Sequence, residues 1–413
     1  MKNNPFTSKI FTTIWSKHFN NSNPEKIFNF IENLSFVKNK YLPFYINIGK
    51  NLTNGLSYTI KKNEADYKNK VFFIYDVPSL VNITKPDTGT LKLITIRQYK
   101  GYLANLENYT NLQDYISDNF SSRSRKVFKK HLVKLETCFN IKYKMYYGDN
   151  ITKDEYDFIF KNFNRLLKKR FSEKRINNHY LSDKKWNYLE ALVFPMILDK
   201  KASIFVIYDK DTPINISVNY LSSNIVFGAL TVFDTDYSKF NIGFIDIMKH
   251  LEWCIENKFL IFDFSKGDFE YKKRWGNTFY HFDYHLLYDS SSILAKLIAN
   301  SLGQYFKIKQ LLRDKNIHTR FHEFIFLLKG KKTKANTFNV LNCDGGIAEN
   351  ELERLDYNQE KYVFLKRRIY EFLYKHSESI NDIEVYAVTP SQKTYFIKGK
   401  KNSIKLKFCE KPK

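Results

Sequence analysis

Among the polar side chains of the stretch FDFSKGDFEYKKRWGN (262–277), four could do chemistry together: Asp263, Asp268, Tyr271 and Lys272. Two carboxylates, a phenol and an amine are the side-chain types of proton transfer, where a positioned acid or base speeds reaction by about 10²–10⁴-fold. The run FLIFDF (259–264) reads as a buried strand, so Asp263 falls at a strand end and Gly267 turns the chain before Asp268. A plain solvated turn would use the same residues, with Asp268 capping it and Tyr271 packed under a wet hydroxyl. The surrounding elements separate the two readings.

DTDYSKFNIG (234–243) joins a strand, NIVFGALTVF (224–233), to a helix, GFIDIMKHLEWCIENK (243–258). A helix start presents free N–H groups that bind phosphate oxygens, and Gly243 permits close backbone approach there. Adjacent strand ends of an open α/β sheet form the crevice in which ligands sit, so Asp263 and Asp268 are expected to face whatever Gly243 anchors. Upstream come a strand IKYKMYY (141–147), a helix TKDEYDFIFKNFNRLLKKRF (152–171), a second helix ending in LEALVFPMIL, and strands 202–209 and 212–221; FYHFDYHLLY (279–288) alternates as a further strand. A meander of hairpins between helices is an α/β pattern distinct from a Rossmann repeat.

The periodicity predicts a helix over 24–34 and strands at 45–49, 71–77 and 91–99. Residues 111–139 read as one long amphipathic helix or a pair, capped at Ser121 and Ser122, with Val127, Phe128, Leu132 and Leu135 as the apolar stripe. Arg123, Arg125, Lys126, Lys129 and Lys130 near its start have the wrong sign for a helix N-terminus unless an anion sits there. Residues 291–315 are helical with a basic end. Four regions result: an N-terminal α/β region (1–115), a central domain (116–329), a linker (330–349) and a tail of one helix and two strands (350–413).

The net charge of +24 fits a polyanionic partner, or a lysine-rich composition without one. Four dispersed cysteines form neither a zinc framework nor a disulfide scaffold, and they suit a reducing compartment. Residues 1–15 lack a leader-like apolar core, and no stretch approaches about 18 apolar residues, so a cytoplasmic protein is expected. His281, Asp283 and His285 share a strand face, but the histidines stand about 13 Å apart, too far for one metal ion. His318 and His322 have no carboxylate framework around them.

The motifs together resemble the GNAT-type acyltransferases of bacterial cellulose and exopolysaccharide gene clusters, which are similar to Fem peptidyltransferases. In that family a glycine ends the phosphate loop, a helix carries a Glu-Trp pair, and the next strand gives Asp-Phe-Gly-Arg-Gly-Asp-x-x-Tyr-Lys. Here Gly243 precedes Asp263 by twenty residues, the pair is Glu252-Trp253, and the run extends from Asp263 to Lys272. Ser121 to Lys130 and Leu135-Glu136 match a further basic helix start and Leu-Glu pair, so the likeness spans roughly 120–290. This chain departs in having Asn241-Ile242 where the family has Ser-Pro, Ser265 in place of a glycine, and no second loop glycine.

The resemblance implies a GNAT-like mixed sheet flanked by helices, with residues 1–115 open to reading as a degenerate first half. It implies an acyl-CoA donor, with pantetheine against strand 224–233 and pyrophosphate over 239–244, and so a donor set of Phe233, Lys239, Asn241, Ile242, Gly243 and Phe244. Asp263 or Asp268 would be the base, Tyr271 the acid or oxyanion donor, and Lys272 the partner of an anionic group. Arg123, Lys126, Lys266, Trp275 and Asp283 are expected on the acceptor, a sugar, sugar nucleotide or envelope precursor. A Fem-like enzyme taking its acyl group from aminoacyl-tRNA and a non-catalytic nucleic-acid-binding scaffold are the alternatives, and no metal is expected.

Overall fold

The computed structural model describes residues 3–21, 24–81, 83, 89–174, 182–315, 337–341, 351–389 and 393–409. Helix α1 (Lys9–Phe19) is followed by strands β1 (Ile31–Glu32), β2 (Phe36–Lys38), β3 (Tyr45–Asn47), β4 (Thr59–Ile60), β5 (Val71–Pro78) and β6 (Leu91–Asn105). The helix expected over 24–34 does not form. Asp66 takes the Asn29 and Phe30 N–H groups at 2.6 and 3.1 Å, and Lys26 bridges to Phe36, so partners distant in sequence hold that backbone. Ile27, placed on the apolar face of that helix, is 71% exposed.

Helices α2 (Leu112–Asn119) and α3 (Ser122–Cys138) form the expected pair, with the Ser121 hydroxyl accepting the Ser124 N–H. Of the expected stripe on α3, Phe128 and Leu135 are buried while Val127 is exposed. Then come β7 (Ile141–Tyr146), α4 (Lys153–Lys174), α5 (Asp183–Leu198), β8 (Ala202–Asp209), β9 (Thr212–Leu221), β10 (Ile225–Phe233), α6 (Ile242–Glu256), β11 (Ile261–Lys266), α7 (Glu270–Trp275), β12 (Thr278–Asp289) and α8 (Ile293–Asp314). Within the expected linker, β13 (Thr337–Leu341) pairs with a strand of the tail; the rest of 330–349, and His318 and His322, lie outside the described residues. The tail holds β14 (Leu352–Arg354), α9 (Lys366–His376), β15 (Glu384–Val388), β16 (Thr394–Lys398) and β17 (Ser403–Cys409) in a small antiparallel sheet.

The chain thus forms the expected mixed sheet flanked by helices. Ten strands run in the order β2-β3-β5-β12-β6-β11-β10-β9-β8-β7, unbroken across residue 115. The sheet repeats one pattern. β2/β3 is an antiparallel hairpin, β3 steps parallel to β5, and β5 meets β12 antiparallel. β9/β10, β10 to β11 and β11/β6 do the same. Each half therefore lends its last strand to the other, and β6 and β12 pair at the seam. Helix α9 packs on the 235–240 turn and on α3 through Tyr370, Leu373 and Tyr374.

Candidate active site

β10 and β11 pair at only three positions, Ile225 with Ile261, Val226 with Phe262 and Phe227 with Asp263. Beyond them β10 bulges at Gly228 against β9, and β11 turns through Ser265 at φ 61°, so the parallel strands part at their carboxyl ends. Such a divergence makes a crevice in an α/β sheet. A Cβ at Gly228 would touch the Phe262 ring, 3.4 Å away. The N-terminal half reaches across the mouth: Asn54 Nδ2 donates to Gly228 O (3.3 Å), and Lys266 Nζ donates to Asn51 O (3.1 Å).

On the β11 side, Asp263 is buried and accepts bonds from the Tyr280 hydroxyl (2.5 Å) and the Ser265 N–H (2.7 Å). Burial pushes its carboxyl up to about 6, against the pull of those bonds and of Lys272. Lys272, buried on α7, donates to Lys266 O (2.6 Å) and Ser265 O (3.2 Å). Burial lowers it to about 8, with Asp263 opposing. An ammonium has three donors, and these two bonds leave one proton for another acceptor. Tyr271 is 42% exposed, yet desolvation of its phenol, with Asp246 adding and Arg170 opposing, pushes it up to about 12.

Several expected site residues sit elsewhere. Asp268 is half-exposed and held ionised, far below the usual carboxylate range, by bonds from Lys100 (2.9 Å) and Tyr102 (2.7 Å) and by Lys273 at 3.1 Å. A carboxylate so stabilised is a poor base. Trp275 is 0% exposed and packs among Phe120, Phe128 and Phe244, so it belongs to the core and cannot meet an acceptor. Lys266 is already paired with the buried Asp76 at 2.7 Å. Asp283 lies half-buried at the seam, its carboxyl raised to about 6 by burial. Arg123 and Lys126 are exposed at the start of α3.

Sequence reading missed Arg274, which bonds Ser124 Oγ (3.3 Å) and covers Phe128 and Phe244, gathering α3, α6 and α7. Its place beside Lys272 on a short basic helix was the available signal. Also missed was a buried network under the crevice. Asp246 accepts from Ser217 (2.6 Å) and Asn215 (2.7 Å), and His250 beside it reaches Asn219 at 3.0 Å. The alternation Asn215, Ser217, Asn219 in an otherwise apolar strand foreshadows it.

The loop expected to hold pyrophosphate has a different character. Lys169 bonds both Asp234 and Asp236 at 2.5 Å, and Asp234 also accepts the Asp236 N–H. Asn241, at φ 53°, caps α6 with its C=O on the Phe244 and Ile245 N–H groups, while its amide meets His131 at 2.9 Å. Ile242 is buried, and a Cβ at Gly243 would make only ordinary contact with Phe233, 3.6 Å away. Phe233 lies under the Arg170 guanidinium at 4.7 Å, and Lys239 is exposed. Tyr370 and Tyr374 of α9 cover Tyr237 and Phe240. Two other hollows on the surface, about 440 and 400 Å³, are lined by Lys144, Glu155 and Tyr208 and by Arg354, Tyr357 and Glu384, away from the crevice. Among the described residues no group of three or more His, Cys, Asp or Glu is arranged to hold a metal ion.

Residues 122–273, from α3 through most of α7, match the family model described as an acetyltransferase (GNAT) domain. The chain thus carries a GNAT-like acetyltransferase domain and is a transferase. No curated protein matches the sequence. Among solved structures the chain is similar to FemX, with 11% identity, 70% of this chain and 93% of that chain covered, and a TM-score of 0.44. It is similar to L-PGS from Bacillus licheniformis at 10% identity, with 74% and 99% covered and a TM-score of 0.41. A tandem GNAT protein from the clavulanic acid biosynthesis pathway overlaps at 7% identity, with 61% and 77% covered and a TM-score of 0.33. Overlaps this loose say nothing of what the chain acts on.

Proposed function

We propose that the chain transfers an acyl group from an acyl-CoA to an amine or hydroxyl of a sugar, sugar nucleotide or envelope precursor, at the parting of β10 and β11. The observation that carries this reading is the pair Asp263 and Lys272, whose environments drive the carboxyl up and the amine down around Ser265. The acceptor's lone pair attacks the thioester carbonyl carbon as its proton passes to the Asp263 carboxylate. The carbonyl electrons move onto oxygen, where the remaining proton of Lys272 meets the charge. Collapse breaks the C–S bond, and the thiolate leaves and takes up a proton, for which Tyr271 is the candidate donor. Asp263 is preferred over Asp268 as base because burial, against the pull of its partners, raises its carboxyl to about 6, whereas the cations around Asp268 hold that carboxylate ionised.

One observation favours a second donor. Asp234 and Asp236 absorb the charge of Lys169 beside the α6 start, which leaves that loop poorly suited to a pyrophosphate, whereas the net charge of +24 suits the tRNA of an aminoacyl-tRNA. Thiol release from acetyl-CoA over an acceptor panel, run beside transfer from aminoacyl-tRNA, tests both. Turnover with one donor, lost in Asp263→Asn, supports the reading. Turnover unchanged in that variant overturns the assignment of the base, and no turnover with either donor overturns the proposed donor and acceptor classes.

A further inference from the structure

Helix α8 has two apolar faces, and only one is covered. Ala295, Ala299 and Gly303 lie against the sheet, and a Cβ at Gly303 would stand 3.8 Å from Ile94 and 3.9 Å from Leu286. Leu294, Leu297, Tyr305, Ile308, Leu311 and Leu312 are exposed, the first two at 61% and 60%. At about 100° per residue these six positions share an arc of about 120° on the side opposite the buried alanines. The exposed Ser301 and Gln304 fall in the same arc and divide it into a Leu294–Leu297 group and a Tyr305–Leu312 group, and exposed apolar groups so aligned on one face mark an interaction site.

The edges of the arc identify the partner. In the same projection Lys296 and Lys307 border one side and Lys309 the other, and Asp314 is the helix's only acid. A second copy presenting this face would oppose lysine to lysine, in a chain already at +24. An anionic lipid surface complements both features, accepting the apolar side chains at the acyl boundary while its headgroups pair with the lysines. Among the described residues no helix is long and apolar enough to cross a membrane, and the contact proposed for α8 lies in the plane of the bilayer. We infer that α8 is a peripheral docking surface for an anionic bilayer.

Sedimentation of the full chain with vesicles of phosphatidylglycerol and phosphatidylcholine, against phosphatidylcholine alone, tests this. Anionic vesicles should bind about tenfold more protein, less so as salt rises. Leu297→Gln/Ile308→Gln/Leu311→Gln should lose about tenfold in binding at unchanged Tm. Lys307→Glu/Lys309→Glu should also lose binding, while Lys129→Glu/Lys130→Glu, an equal charge change on α3, which packs on α6 and α9, should retain it. Equal losses in the two charge variants would reduce the effect to net charge and overturn the proposal. So would an absence of vesicle binding, whether with a dimer that the glutamine variant dissolves, pointing to a second copy, or with a lowered Tm, pointing to cover from within the chain.

Discussion

The two parallel steps of the sheet share a backbone device and differ in what they leave available. β5 sets four residues, Ile74 to Val77, against three of β12, and β11 sets four, Asp263 to Lys266, against three of β6. Each extra residue is accommodated by a left-handed turn, Asp76 at φ 59° and Ser265 at φ 61°. In the N-terminal copy Asn47 closes the divergence, its Oδ1 accepting the Tyr75 N–H (2.9 Å) and its amide donating to Ile48 O (2.8 Å). No α-helix lies between β3 and β5. In the C-terminal copy α6 follows β10 and the strands part, and the buried Asp263 and Lys272, the pair proposed for the chemistry, lie on and just after β11. A parallel step is thus only a scaffold; chemistry requires that the gap stay unsealed and that a titrating pair remain beside it.

The sharpest way to break the comparison is Asp263→Asn, which should lower kcat by about 10²–10⁴-fold with little change in KM. The wild-type pH profile of kcat/KM should rise through about 6 as Asp263 loses its proton and fall beyond about 8 as Lys272 loses its own. A profile flat across that interval would remove both from the chemistry. Lys272→Met keeps the buried stem and removes the charge, so a loss of about 10²-fold in kcat is expected, measured by single-turnover acyl transfer. Asp234→Asn/Asp236→Asn releases Lys169, and KM for an acyl-CoA should fall about threefold; an unchanged KM would exclude this loop from the donor site. Asp268→Asn should leave kcat within about twofold and cost at most about 1 kcal/mol in chemical unfolding, because two of its partners are half-exposed lysines and the amide oxygen can still accept from Tyr102.

From β7 to β12 the order of elements was legible, apart from the short helix α7, because each apolar run is local and bounded by turn residues. The segment 24–34 was not, since its carbonyl and N–H partners at Lys61 and Asp66 lie more than thirty residues away. Asp263 and Lys272 could be named from the run that contains them. Their separation from Asp268 could not, because Lys100 and Tyr102 come from a strand lent by the other half. Trp275 shows the same limit: at the end of the polar run 262–277 it reads as an acceptor contact, and only the convergence of Phe120, Phe128 and Phe244 makes it core. Asp76 carried no local signal at all.

The exchange of β6 and β12 bears on how the chain is made. As synthesis proceeds from the N-terminus, β5 and β6 emerge long before β12, the strand that must lie between them. Until about residue 289 has left the ribosome, both expose unpaired edges, and closure awaits a contact spanning some two hundred residues. A fragment ending near residue 115 should therefore aggregate instead of folding, and the nascent chain should depend on a holdase through that interval.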